Sequence, residues 1–175
     1  PGPLAYLRLA TTDGSRCEAT VVKDIGPAEQ GLSYVKRLLA EGAAQAIEAF
    51  EDRLIHITDL LLQCGVLDID HQLNNILIDQ HAMVWRIDFE CARVRRLRFA
   101  HAREFATMLA RLVASHAYAC QPDVSLTELF SSRLFAHLRI SSRNIARIEA
   151  LLREILAEQH RLYGIDSRIE LRTSE

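Results

Sequence analysis

The sequence predicts a mainly α-helical fold carrying two small β-hairpins. Three observations predict it. Apolar residues recur at three- and four-residue spacing over 27–63 and again after Arg98, which is the helical period. Between those stretches, residues 66–87 change texture to short β-type runs. An Asp-Gly pair near the N-terminus lies between two further runs of that kind, which is a strong hairpin signal.

The bulk properties fit one globular unit. The chain has 175 residues, 49% apolar and 25% charged, enough for one domain with a small appendage and a sizeable core. A formal net charge of −2 argues against a dedicated nucleic-acid binder. No apolar run reaches the roughly 20 residues of a membrane span. Cys17, Cys64, Cys91 and Cys120 are scattered without metal-ligand or disulfide-scaffold spacing, so they read as reduced thiols of a cytoplasmic protein. No signal peptide is visible, and Pro1-Gly2-Pro3 reads as a boundary with the native N-terminus upstream.

Element by element, residues 4–9 and 17–23 form the first hairpin around Thr12-Asp13-Gly14-Ser15. Gly26-Pro27 starts a helix, since Pro suits the first helical position. Its stripe is Leu32, Val35, Leu38 and Leu39, and Gly42 ends it. A second helix spans 43–63, with Ala43, Ala46, Ile47, Phe50, Leu54, Ile57 and Leu61 on one face and Glu48, Glu51 and Arg53 toward solvent. Val66–Asp70 is extended, Ile76–Ile78 is a strand, Asp79–Ala82 a turn and Met83–Ile87 a strand, which makes the second hairpin. Phe99, Ala102, Phe105, Ala106, Leu109, Leu112 and Val113 mark the next helix. Gln121-Pro122-Asp123 breaks it, and Ser125-Leu126-Thr127-Glu128 reads as a capping box opening a helix to about 138. A last helix covers 142–163, with Ile145, Ile148, Leu151, Leu152, Ile155 and Leu162 inward and Gly164 at its end. The expected organisation is a hairpin at 1–26, a helical body at 27–164 and a polar, loosely held tail at 165–175.

The chemistry concentrates in residues 65–93. Asp70 ends one extended run, Asn75 precedes the next, and Asp88 ends the third. A hairpin between Asn75 and Asp88 returns the chain so that both lie at one end. A hard cation such as Mg²⁺ takes oxygen ligands, one or two carboxylates with substrate phosphates, and Asn75 and Asp88 suit that role. Asp70, five residues before Asn75, suits orienting or deprotonating a hydroxyl. The same three residues also fit a turn residue, a loop residue bonding backbone and a helix cap. The seven histidines show no metal-binding spacing, and His101 and His116 read as structural or surface residues. Arg93, Arg95, Arg96 and Arg98 form a basic cluster, read as a solvated patch or as a phosphate contact.

An Asp, four intervening residues, an Asn, a short apolar strand, a turn and a strand ending in Ile87-Asp88-Phe89 resembles the protein-kinase-like superfamily. Glu90 after that Phe resembles the bacterial small-molecule and lipopolysaccharide-sugar kinases more than eukaryotic protein kinases. The resemblance covers about 30 residues, extended in architecture only by the preceding helix. It implies a kinase-like C-terminal lobe, Asp70 as catalytic aspartate, Asn75 and Asp88 as metal ligands, ATP and Mg²⁺ as cofactors, and a small molecule, sugar or lipid as hydroxyl acceptor. Asp68 stands where the family often has His, and Gln72 where many relatives have Lys or His. No glycine-rich loop is present; Val21-Val22-Lys23 is similar to the family's lysine strand, which makes Lys23 the candidate ATP contact, although its distance from Asp70 suits a hinge strand better.

The implied function is a phosphotransferase domain, incomplete as an isolated chain and binding ATP weakly by itself. The alternatives are a non-catalytic pseudokinase module that binds a partner protein, and a metal-dependent hydrolase using Asp70, Asp88 and Glu90. An exposed N-terminal hairpin and the stripe of the first helix imply a homodimer or a protein partner through residues 1–40.

Overall fold

The computed structural model describes residues 3–10, 16–22, 25–94, 103–164 and 169; for the first two ranges and Tyr163 it describes the backbone alone. The strands are β1 (Pro3–Ala10), β2 (Arg16–Val22), β3 (Ala28–Gln30), β4 (Val66–Asp68), β5 (Ile76–Asp79), β6 (Val84–Arg86) and β7 (Ala92–Val94). The helices are α1 (Gly31–Ala40), α2 (Ala44–Gln63), α3 (Arg103–Cys120), α4 (Ser125–His137) and α5 (Ser142–Tyr163). The protein is therefore mainly helical with small antiparallel sheets, as the periodicity predicts.

The N-terminal hairpin is present, with Tyr6 opposite Thr20 and Ala10 opposite Arg16. Its turn, at 11–15, and Lys23 lie outside the described residues, as do Arg95, Arg96, Arg98, Phe99, His101 and Ala102. So does the tail at 165–175, except Ile169, which is partly buried against the core.

The helical core is built where the spacing placed it. Val35, Phe50, Leu54, Phe105, Leu109, Leu112, Val113, Ile148 and Leu152 are all buried in one cluster. Met108, Phe130 and Leu134 complete its centre with no exposed surface. Burying an aliphatic or aromatic side chain of this kind contributes about 1.5–3 kcal/mol each. The stripe of α1 is covered by the chain itself, since Val35 and Leu38 are buried and Leu32 and Leu39 pack against the core. The case for a partner at residues 1–40 then rests on the hairpin alone.

Several expectations need correction. The chain after Pro27 is extended rather than helical: β3 pairs with β5, and α1 starts at Gly31. Pairing with an open edge of the second hairpin outweighs the helix-start preference of Pro27. That hairpin becomes a three-stranded sheet in the order β3-β5-β6. β4, read only as an extended run, pairs with β7, so the segment after Asp88 folds back along the chain leading to Asp70. Ser125 does not cap α4. It is the first helical residue, and Asp123 Oδ1 accepts hydrogen bonds from its amide (3.0 Å) and its hydroxyl (2.6 Å). Leu162 is exposed rather than inward, with Leu156 buried instead. Glu51, read as solvent-facing, is buried: its carboxylate accepts from Arg133 Nη1 at 2.8 Å and lies 3.0 Å from His116 Nε2. These contacts tie α2 to α3 and α4 through one charge network.

Two details position the loop between β4 and β5. Gly31 meets it at close range: a Cβ there would lie 2.8 Å from the Leu73 carbonyl oxygen and 3.1 Å from the Ile76 Cβ. Only a residue without a side chain lets α1 approach so closely. Gln30 Nε2 donates to the Asn74 carbonyl at 2.8 Å, which pins the same loop from β3.

Candidate active site

Asp70, Asn75 and Asp88 occupy one end of the β5–β6 hairpin. Ile76 faces Arg86 across the ladder, and the Ile87 amide donates to the Asn75 carbonyl at 3.0 Å. The residues on either side of that pairing, Asn75 and Asp88, are therefore held together by backbone. Leu73–Asn75 forms a single 3-10 turn, which carries the chain from Asp70 round to β5.

Asn75 links to Asp70 directly. Its Nδ2 donates to Asp70 Oδ2 at 2.7 Å and to the Asp70 carbonyl at 3.0 Å. Both amide hydrogens are thus used on one residue, which fixes the orientation of the amide. Among the described residues nothing donates to its carbonyl oxygen Oδ1. The other carboxylate oxygen of Asp70, Oδ1, accepts from Gln72 Nε2 at 3.0 Å and lies 3.8 Å from Arg111 Nη1 on α3. Asp70 is half-buried, so its carboxylate is held on both sides yet open to a ligand.

Asp88 is exposed and has φ 58°, in the left-handed region. Asp and Asn enter that region more readily than other residues with a side chain, at a cost that persists where surrounding structure over-determines it. Here the surroundings are β6 on one side and a turn on the other, in which the Ala92 amide donates to the Phe89 carbonyl at 3.0 Å.

Beneath the three residues lies a group that the sequence reading did not single out. Arg86, on β6, is buried with its side chain 1% exposed, and it makes an ion pair with Asp68, whose side chain is 0% exposed. Arg86 Nη2 also donates to the Asp70 carbonyl at 3.1 Å, and Nη1 to the Asn75 carbonyl at 3.2 Å. Asp68 Oδ1 in turn accepts from the Asp70 amide at 3.0 Å. Burial pulls the Arg86 guanidinium below its ordinary value, opposed by the charges of Asp68, Asp70 and Asp88. A five-donor guanidinium suits this task, because it bonds several acceptors from one fixed plane. The only sequence sign of it was an Arg alternating with apolar residues at an inward strand position.

His71 closes the underside. Thr58 Oγ1 donates to the Leu54 carbonyl at 2.7 Å, so it accepts from His71 Nε2, 2.9 Å away. That sets the neutral tautomer with hydrogen on Nε2. Nδ1 is buried without a hydrogen-bond partner among the described residues. Burial, with the Arg86 charge nearby, pushes the imidazole down to about 3.

Asn75 Oδ1 and the Asp88 carboxylate, whose Oδ1 accepts from the Glu90 amide at 3.4 Å, are oxygen groups of the kind that Mg²⁺ takes together with substrate phosphates. Among the described residues no three His, Cys, Asp or Glu side chains gather as a metal-binding group, so the pair does not resemble a closed protein cage. Arg93 of the predicted basic cluster lies 3.6 Å from Glu104 across the return of the chain into α3. Among the described residues no helix is long and apolar enough to cross a membrane. The chain matches no family model and no curated protein.

Proposed function

We propose that this chain is the C-terminal-lobe part of a kinase-like phosphotransferase, acting on a hydroxyl of a small molecule. One observation carries the reading. Asn75 spends both amide hydrogens on Asp70 while its backbone is bonded to the residue before Asp88. A hydroxyl-orienting carboxylate and an oxygen donor pair are thereby coupled through a single side chain.

In this reading the acceptor's hydroxyl proton passes to Asp70 as its oxygen bonds to the γ-phosphorus of ATP and the bond to the departing ADP oxygen breaks. Asn75 Oδ1 and Asp88 would hold Mg²⁺, which would supply charge neutralisation when bound. Arg86 fixes the carbonyls of Asp70 and Asn75 from below. Lys23, the candidate ATP contact, lies outside the described residues. A single lobe supplies half of a cleft, so weak ATP binding by this chain alone is part of the proposal.

Mn²⁺ in place of Mg²⁺ tests it. With Mn²⁺ and ATP, paramagnetic broadening should centre on the amides of Asn75 and 87–90 and vanish in Asp88→Asn. Broadening centred elsewhere, or unchanged in that variant, would refute the metal assignment. ATP affinity in the micromolar range or tighter would contradict the half-cleft argument.

The second reading, a non-catalytic module, is favoured by one feature: Gln72, Asn75 and Arg111 all contact the Asp70 carboxylate, as they would a structural acceptor. Phosphoryl transfer that is lost in Asp70→Asn separates the two.

A further inference from the structure

Beyond α5 the chain returns to the body of the protein. Gly164 ends the helix in the left-handed region, at φ 68°, with its amide donating to the His160 carbonyl at 2.8 Å. A helix stop of this kind turns the chain off the helix axis. Five residues later, Ile169 is partly buried against the hydrophobic core. The residues that follow are Glu170-Leu171-Arg172-Thr173-Ser174-Glu175, which lie outside the described residues.

A groove of about 600 Å³ lies along α5, between that helix, α1, α3 and the turn after Asp70. Its end nearest Gly164 is apolar. Leu162 lines it while 55% exposed, Ile155 lies two turns further in, and the Tyr118 ring faces them from α3. Beside Ile155 stands Glu154, exposed and without an ion pair among the described residues. Glu158 is already engaged, with both oxygens bonded to Arg161 at 3.0 and 2.5 Å. On the opposite wall are Gln72 and Arg111, the two residues that contact Asp70 Oδ1.

We propose that residues 170–175 of this same chain occupy the groove, running antiparallel to α5, with Leu171 on Ile155, Leu162 and the Tyr118 ring and Arg172 against Glu154. Ile169 selects this occupant first, because it already sets the chain on the core just ahead of the segment. Reach is sufficient. Leu162 and Glu154 are about 12 Å apart along the helix axis, and six extended residues span about 20 Å. The order of residues also matches: an apolar side chain and then a cation meet an apolar end and then a free carboxylate. Tethering through Ile169 gives the segment an effective concentration on the order of millimolar, which favours it over a free peptide of the same sequence. Docked there, the segment braces the wall that carries Gln72 and Arg111, and through them the Asp70 carboxylate. The docking does not rest on the phosphotransferase reading.

Nuclear Overhauser spectra of the full chain, with methyl-labelled leucine and isoleucine, test the placement directly. The Leu171 methyls should show contacts to the Tyr118 ring and to the methyls of Ile155 and Leu162, and the Arg172 methylenes a contact to Glu154. Leu171→Glu should abolish those contacts and shift the backbone amides of Tyr118 and Ile155, far from it in sequence, while the rest of the helical core keeps its parent spectrum. The proposal is overturned if the Leu171 methyls contact only their neighbours in sequence or another face of the protein, or if Leu171→Glu leaves the amides of Tyr118 and Ile155 unmoved. A sample mixed from labelled and unlabelled chains separates the remaining case. Leu171–Tyr118 contacts that appear between chains rather than within one would make a second copy the occupant, and the proposal would fall.

Discussion

Removing the carboxylate of Asp68 should be the most damaging single change near the site. Both members of the Asp68–Arg86 pair are almost fully excluded from water, at 0% and 1% side-chain exposure. Asp68→Ala strips the guanidinium of its anion, while burial keeps water from replacing it. Breaking a buried pair this way costs about 3–5 kcal/mol. The lost bond from the Asp70 amide to Asp68 Oδ1 adds about 1 kcal/mol. Against a typical stability of about 5–15 kcal/mol, that is a large share.

Arg86→Met should cost a similar amount, since it leaves the Asp68 carboxylate buried alone. The double variant is the decisive member. With neither charge present, no uncompensated ion remains, and the remaining cost is the donors lost by the carbonyls of Asp70 and Asn75. Each carbonyl keeps another donor, Asn75 Nδ2 for the first and the Ile87 amide for the second. The double variant should therefore be destabilised by at least about 2 kcal/mol less than the sum of the singles. Urea unfolding followed by far-ultraviolet circular dichroism measures all four proteins, with an unchanged slope as the check on two-state behaviour. A cost below about 1 kcal/mol for Asp68→Ala, or additivity in the double variant, would refute the buried-pair argument.

Three further outcomes are expected. His71 titrates near 3 when folded and near 6.5 when unfolded, so the unfolded chain binds more protons between those values; stability should fall as pH drops below about 6.5, by roughly 2 kcal/mol at pH 5, and denaturation midpoints of His71→Gln should show a flatter profile. Gly31→Ala should destabilise by about 1–2 kcal/mol, because overpacking against the Leu73 carbonyl outweighs the helix propensity of Ala; a melting temperature at or above the parent value would contradict the close approach. Burial pushes the Cys120 thiol up to about 12, so at pH 8 iodoacetamide should modify exposed Cys64 and Cys91 while native Cys120 stays unlabelled by mass spectrometry.

What was legible in the sequence was local. Asp70 and Asn75 are five residues apart, and one 3-10 turn suffices to bring the amide onto the carboxylate. The hairpin that returns Asp88 to Asn75 is likewise a short-range event, signalled by alternating strands about a turn. What was missed depends on distant partners. Glu51 has the spacing of a solvent-facing residue, yet His116 and Arg133, 65 and 82 positions away, draw it inward. β7 is only three residues long, Ala92-Arg93-Val94, too short for a strand pattern to mark it before β4 lies beside it. Gly31 reads as an unremarkable helix residue until the Leu73 carbonyl is placed against it. Arg86 had the inward phase of its strand, which could have flagged it, but its anion was visible only as Asp68, a residue that the resemblance treated as a departure.

In the phosphotransferase reading, that departure bears on where the charge that holds the phosphates comes from. Asp68 and Gln72 stand where the resemblance would put basic residues, and among the described residues no unpaired cation replaces them on the open side of the site. Arg86 is cationic but buried below the loop, its charge answered first by Asp68. Arg111 reaches the rim but faces Asp70, and Arg93 faces Glu104. Among the described residues, the open surface around Asn75 and Asp88 thus carries oxygen ligand atoms and no unpaired cation, an arrangement that favours a divalent metal over a bare polyphosphate. In the phosphotransferase reading, ATP would enter as its metal complex, and the candidate cations for its phosphates, Lys23 with Arg95, Arg96 and Arg98, lie outside the described residues. In that reading the residues between Asp68 and Asp88 would supply the metal and hydroxyl half of the chemistry and leave the phosphate half to residues outside that segment.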